Sequence, residues 1–175
     1  MQEQLSTLGW DFIQRILTNA LDICLILNPS VNAYRRLDPH FEAPNQIKAS
    51  PIDRGSMVRI PIGNSKSMRV EVRSIAPDAN PYLAIYTLFK TGLEAKKAKS
   101  ISPDAILPDN IYDAIQSFQS SAYIGELLDT SVQERYAGLK LASADRCPRK
   151  LGTLIKQAEI QFHHEVYNQN LWNQF

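Results

Sequence analysis

Two short alternating segments, Val58–Ile62 and Arg69–Arg73, limit what this chain can build. Each switches between apolar and other residues with period two, and Gly63, Asn64, Ser65, Lys66 and Ser67 between them supply turn chemistry. The pattern predicts an antiparallel β-hairpin, with Pro61 marking an edge position or a bulge in the first strand. Period two puts Val58, Ile60, Ile62, Val70 and Val72 on one face and Arg59, Arg69, Glu71 and Arg73 on the other. A lone hairpin is only marginally stable in water, so its apolar face requires a covering layer.

Helical patterns can supply that layer. Trp10, Ile13, Leu17, Cys24 and Leu27 recur at helical spacing, predicting a core-facing helix over 10–27 that Asn28 and Pro29 stop. Asn80 followed by Pro81 predicts an N-cap with proline in the first turn, and Leu83, Tyr86, Phe89 and Leu93 continue a stripe toward Gly92. Further helices are predicted over 110–128, 132–144 and 148–170, the last carrying Leu151, Leu154, Ile155, Ala158, Phe162 and Val166. Residues 28–56, with prolines at 29, 39, 44 and 51, read as one long irregular segment, a kind of loop that is usually functional. Residues 94–108, with Lys96, Lys97, Lys99, Pro103 and Pro108, read as an exposed connection. The expected fold is α+β in a single unit over 1–175, an antiparallel hairpin or partial sheet backed by several helices.

Charge narrows the function. The 175 residues carry a net charge of +1, which excludes bulk electrostatic binding to nucleic acid or an anionic membrane. The longest apolar run, Ile23–Leu27, is far short of a membrane span, and no basic-then-apolar leader opens the chain. Cys24 and Cys147 have no partner spacing for zinc, so reduced thiols and a cytoplasmic location are expected. Between Arg35 and Arg73, however, eight basic residues face four acidic ones, a local excess of +4. Six of the eight are arginines, whose planar fork matches carboxylate or phosphate oxygens two at a time. The cluster points to a small anionic ligand, with Glu71 in its midst a candidate ligand for Mg²⁺. A solvated strand face laced by ordinary cross-strand ion pairs would produce the same pattern.

The segments Asn28–Leu37, Phe41–Pro44, Arg54, Val58–Pro61, Arg69–Arg73 and Asn80–Leu83 follow one another with the order and spacing of a known family. Over residues 28–93 the chain resembles the C-terminal part of the catalytic domain of glutamine synthetase; the helices at 10–27 and 110–175 fit more loosely. The resemblance implies ATP-dependent ligation of ammonia to glutamate through γ-glutamyl phosphate, with Mg²⁺ or Mn²⁺ in the site. It implies that Arg36 holds the glutamate carboxylate, that Arg73 is a second glutamate or phosphoryl contact, that Arg54 faces the phosphoryl group in transfer, and that Arg59, Lys66 and Arg69 contact ATP. Glu42, on a flap-like loop, would take the proton from ammonium and close the site, and Glu71 would be a metal ligand.

Members of that family are more than twice as long. Their N-terminal part supplies a small β-domain, most metal-binding glutamates, a metal-binding histidine and part of the glutamate pocket, all expected to be absent here. His40 stands in the flap, and the neighbours His163 and His164 point to different faces of a helix, so they do not replace that set. Two readings follow: a ligase portion that requires a complementing chain or a homo-oligomer, or a non-catalytic relative serving as an anion-binding or subunit-interaction module. A hairpin without its partner strands leaves an exposed edge and an apolar face, so the isolated chain is expected to self-associate. Size-exclusion chromatography checks this; a clean monomer at high concentration counts against it.

Overall fold

The computed structural model describes residues 5–38, 43–64, 67–98 and 100–146. Glu42, Lys66, His40, Cys147, the His163–His164 pair and the helix expected over 148–170 lie outside the described residues. The described chain is an α+β unit: helices α1 (Thr7–Thr18) and α2 (Ala20–Leu27), a 3-10 helix (Val31–Arg36), strands β1 (Gln46–Ser50), β2 (Ser56–Arg59) and β3 (Glu71–Val72), then helices α3 (Pro81–Glu94), α4 (Ile111–Ser120), α5 (Ala122–Leu128) and α6 (Thr130–Ala144).

The helix expected over 10–27 is two helices. At Asn19 the side-chain Nδ2 donates to the carbonyls of Arg15 (2.7 Å) and Lys96 (3.2 Å), sharing the Arg15 acceptor with the Asn19 amide (3.1 Å) and tying the break to a distant segment. The span 110–128 divides in the same way at Ser121, whose hydroxyl accepts from the amide of Ile124 and caps α5. The buried Gln133 of α6 donates through Nε2 to the carbonyls of Phe118 (2.7 Å) and Ser121 (2.9 Å), satisfying the orphaned end of α4. Neither break carries glycine or proline, so neither shows as a stop signal.

Helix α3 starts as predicted. The Asn80 side chain accepts from the amides of Tyr82 and Leu83, and Pro81 occupies the first turn. Only Leu83 of the expected stripe packs against the core; Tyr86, Phe89 and Leu93 are exposed together with Tyr82 and Ile85, while Ala84, Thr87, Thr91 and Gly92 face inward. The small inner face lets α1 approach closely, with Phe12 lying over Gly92 and meeting Phe89 edge to face at 6.1 Å.

The sheet has three strands in the order β1-β2-β3. The expected antiparallel pairing is present, with Val58 opposite Val72 and Arg59 opposite Glu71, although the paired strands are shorter than the alternation suggests. Pro61 has no amide to donate and pairing stops before it, leaving Ile62 exposed instead of sharing the buried face. The segment read as irregular contains β1, which runs parallel to β2 and covers what would have been a bare hairpin edge. Beyond β1, the amide of Ile47 donates to the carbonyl of Ala105 (2.8 Å) and that of Leu107 to Asn45 (2.7 Å). The connection expected to be exposed therefore protects the sheet, and its Leu107 is buried. The amide of Ala76 donates to the carbonyl of Leu27 at 2.9 Å, tying the chain after β3 to the end of α2.

Two outcomes follow. Glycine inside a helix normally costs about 1 kcal/mol relative to alanine, but a Cβ at Gly92 would stand 2.2 Å from the Phe12 ring. Gly92→Ala is therefore expected to destabilise the fold by about 1–3 kcal/mol in urea unfolding; an unchanged or raised midpoint would show that Phe12 moves aside freely. Burial raises the Asp22 carboxyl above its usual range, and the Ser121 hydroxyl partly opposes the shift. A raised value favours folding while the group is protonated, fully below its unfolded value near 4, and that contribution is lost as pH rises through the raised value. The stability difference between wild type and Asp22→Asn should therefore move in favour of wild type as the pH of the urea titration is lowered from 7 to 4.

Candidate functional site

β1 and β2 are parallel neighbours joined by residues 51–55 alone, where such a pair ordinarily needs a crossover of about a dozen residues or more. The return is bonded along its length. Ser50 Oγ accepts from the amides of Ile52 (3.3 Å) and Asp53 (3.0 Å), and Asp53 Oδ1 accepts from the amide of Gly55 (2.8 Å). Asp53 Oδ2 pairs with Lys48 Nζ of β1 at 2.7 Å. This lysine, followed by the Gly55 amide, holds the Asp53 carboxyl below its usual range. A Cβ on Gly55 would come within 2.9 Å of Gln46 Nε2, so the return runs tight against β1.

Arg54 sits in this return, and its carbonyl accepts a hydrogen bond from Arg73 Nη1 at 2.6 Å. The amide of Arg73 donates to the carbonyl of Met57 at 2.9 Å, continuing the β2–β3 ladder. Arg54, Arg59 and Arg73 thereby come from three separate segments to one cleft of about 470 Å³, lined also by Pro51, Ile52, Asp53 and Ile62. Glu71 lies opposite Arg59, with Oε2 at 3.7 Å from Arg59 Nη1 and Oε1 at 3.9 Å from Arg73 Nε. Three arginines line the cleft beside one carboxylate, Asp53, and Glu71 stands within 4 Å of two of them, so cations outnumber carboxylates there. Such a cleft suits a polyanion of phosphate type.

The other sequence candidates stand apart to different degrees. Arg36, at the end of the 3-10 helix, donates through Nη1 to the carbonyl of Ile75 at 2.7 Å, which fixes its head two residues beyond Arg73. Arg69 precedes β3, is exposed and bonds back to the carbonyl of Ser67; it does not line the cleft. Lys48, Ser50 and Asp53, which fix the return, were assigned no role from the sequence. Nothing in its proline-bounded, aperiodic stretch announces a parallel strand.

Among the described residues, no group of three His, Cys, Asp or Glu side chains is placed to hold a metal ion. Cys24 is buried, its thiol pushed up to about 12 by burial, and plays no part in the cleft. No helix among the described residues is long and apolar enough to cross a membrane.

The family model for the glutamine synthetase catalytic domain matches residues 1–162. The chain is similar to the glutamine synthetase of Methanococcus voltae, 29% identical over 161 residues that cover 81% of this chain and 36% of the relative. It is similar also to a glutamine synthetase of Staphylococcus epidermidis, 35% identical over 127 residues covering 73% of this chain and 28% of the relative. A glutamine synthetase of Staphylococcus aureus is 29% identical over 155 residues, covering 78% of this chain and 35% of the relative. The chain thus spans about a third of the length of these curated relatives. With the match running from the first helix past the last described one, and the arginine cleft inside it, the chain belongs to the glutamine synthetase catalytic-domain family.

Proposed function

We propose that this chain carries the phosphate-binding portion of a glutamate–ammonia ligase site. One observation carries the reading: Arg54, Arg59 and Arg73, from a loop, a strand and the segment after a strand, share one cleft. Phosphoryl transfer is catalysed mainly by positioning and by cations facing the charge that spreads over equatorial oxygens. Arg54, on a return fixed by Asp53, faces the group in transfer, and Arg59 with Arg69 contacts the ATP phosphates, assisted by Lys66. Arg36 holds the glutamate carboxylate and Arg73 makes a second glutamate or phosphoryl contact, their heads kept in place by the carbonyls of Ile75 and Arg54. Glu42 takes the proton from ammonium, and closure of its loop protects γ-glutamyl phosphate from water.

In such a reaction Mg²⁺ or Mn²⁺ offsets phosphate charge. The described residues do not fit a divalent cation by themselves, because Glu71 is one carboxylate beside two guanidiniums and hard cations take several oxygen ligands. The donors for such a cation are proposed to come from a complementing chain or a further copy, with the assembly working in the cytoplasm.

A second reading is supported by the outward face of α3, where Tyr82, Ile85, Tyr86, Phe89 and Leu93 are exposed together. This favours a non-catalytic module that binds an anion or joins subunits.

Calorimetric titration with ATP, beside a phosphate-release assay with glutamate, ammonium and Mg²⁺, separates the readings. The chain is expected to bind ATP, Arg54→Ala to weaken binding about tenfold through loss of a charge-assisted contact, and release by the chain alone to stay at background. Release that Arg54→Ala and Glu42→Ala both abolish would mean that the chain completes a ligase site without a partner. Absence of ATP binding would leave the interaction module.

A further inference from the structure

Glu71 does not close its ion pairs. Its two oxygens stand 3.7 and 3.9 Å from Arg59 Nη1 and Arg73 Nε, beyond hydrogen-bond distance. The ion pairs Lys48–Asp53, Lys97–Asp11 and Lys90–Glu94 close to 2.7, 2.6 and 2.5 Å. The difference has a structural cause. Arg73 is committed through Nη1 to the carbonyl of Arg54 at 2.6 Å, and Arg59 is anchored on β2 directly across from Glu71. The guanidiniums are therefore positioned by the backbone of the return and of the sheet, and Glu71 sits between them at a distance that neutralises charge without using their N–H donors. An arginine has five such donors in a fixed fork, and a polyphosphate in the cleft would claim them at full hydrogen-bond length. Two guanidiniums within 4 Å also repel a dication from the carboxylate they flank.

We propose that Glu71 is a competing counter-ion in this chain: its carboxylate and a bound polyphosphate claim the same two arginines, so that anion binding displaces Glu71 and requires no divalent cation. The proposal rests on reading the cleft as a polyphosphate site, and it assigns Glu71 a role opposite to that of a metal ligand. Its consequence is selectivity by charge. An anion must out-compete a carboxylate already in place, which a multiply charged phosphate does and a monoanion does not.

Calorimetric titration of the full chain with inorganic pyrophosphate in chelator-treated buffer, comparing wild type with Glu71→Gln and Arg59→Ala, tests this. Glutamine keeps the size of the side chain and removes the charge, and the loose, partly exposed pair contributes little to the fold. Glu71→Gln is expected to bind pyrophosphate about tenfold tighter than wild type, and Arg59→Ala about tenfold weaker. A parallel titration with Mn²⁺ alone, read by electron paramagnetic resonance, is expected to be the same for wild type and Glu71→Gln. Loss of affinity in Arg59→Ala without a gain in Glu71→Gln would overturn the counter-ion role and leave the cleft intact as an anion site. Mn²⁺ binding that disappears in Glu71→Gln would overturn it in favour of a metal ligand. Pyrophosphate affinity absent from wild type and both variants would overturn the cleft reading, and the proposal with it.

Discussion

A parallel pair of strands joined by five residues is the constraint on which the cleft depends. Ser56 lies opposite Gln46, so the chain must travel back along the whole of β1 before β2 can start. That distance is about 14 Å at strand spacing, to be covered in six residue steps with a reach of about 20 Å. The return can bend but has no length for a helix, and its polar groups need partners within itself. Ser50 and Asp53 provide them, and Lys48 ties Asp53 back to β1. Arg54 is presented by this segment, and Arg73 reaches it only because β3 pairs with β2 in a register that carries Arg73 past Met57.

The helices keep that arrangement in place from the other side. The link from Ala76 to the carbonyl of Leu27 anchors the exit of β3 on α2, while Arg36 joins the end of the 3-10 helix to Ile75 one residue earlier. The core beneath is dense: Ile16, Ile23, Leu25, Ile26, Met57 and Val58 are essentially inaccessible to solvent. Close packing of this kind transmits position well, since few side chains can move without opening a void. The cleft residues, by contrast, are half exposed, so their electrostatics are screened and the ion pairs among them are worth little to stability. Function and stability are thus largely divided between the two faces of one small sheet.

Much of this was legible. The alternation in Val58–Arg59–Ile60 and Arg69–Arg73 implied a charged face, and Arg59 does stand opposite Glu71. Asn80 and Pro81 announced the start of α3, because capping and proline act through the immediately adjacent backbone. The helix breaks at Asn19 and Ser121 were not legible. Each depends on a partner far along the chain, Lys96 for Asn19 and Gln133 for the end of α4. The stripe on α3 misled for a related reason: helical spacing shows that one face is apolar, but only the approach of Phe12 to Gly92 shows that the small-residue face is the inner one.

The sequence by itself determined the family and the local excess of positive charge between Arg35 and Arg73, because those are properties of residue type and order. Only the tertiary structure decided that β1 exists, that Arg54, Arg59 and Arg73 converge while Arg69 stands apart, and that Glu71 hangs between two arginines without closing on either. The physical reason is that a side chain's place in a cleft is set by backbone pairings between distant segments, and the energy of those pairings is not written in any one of them.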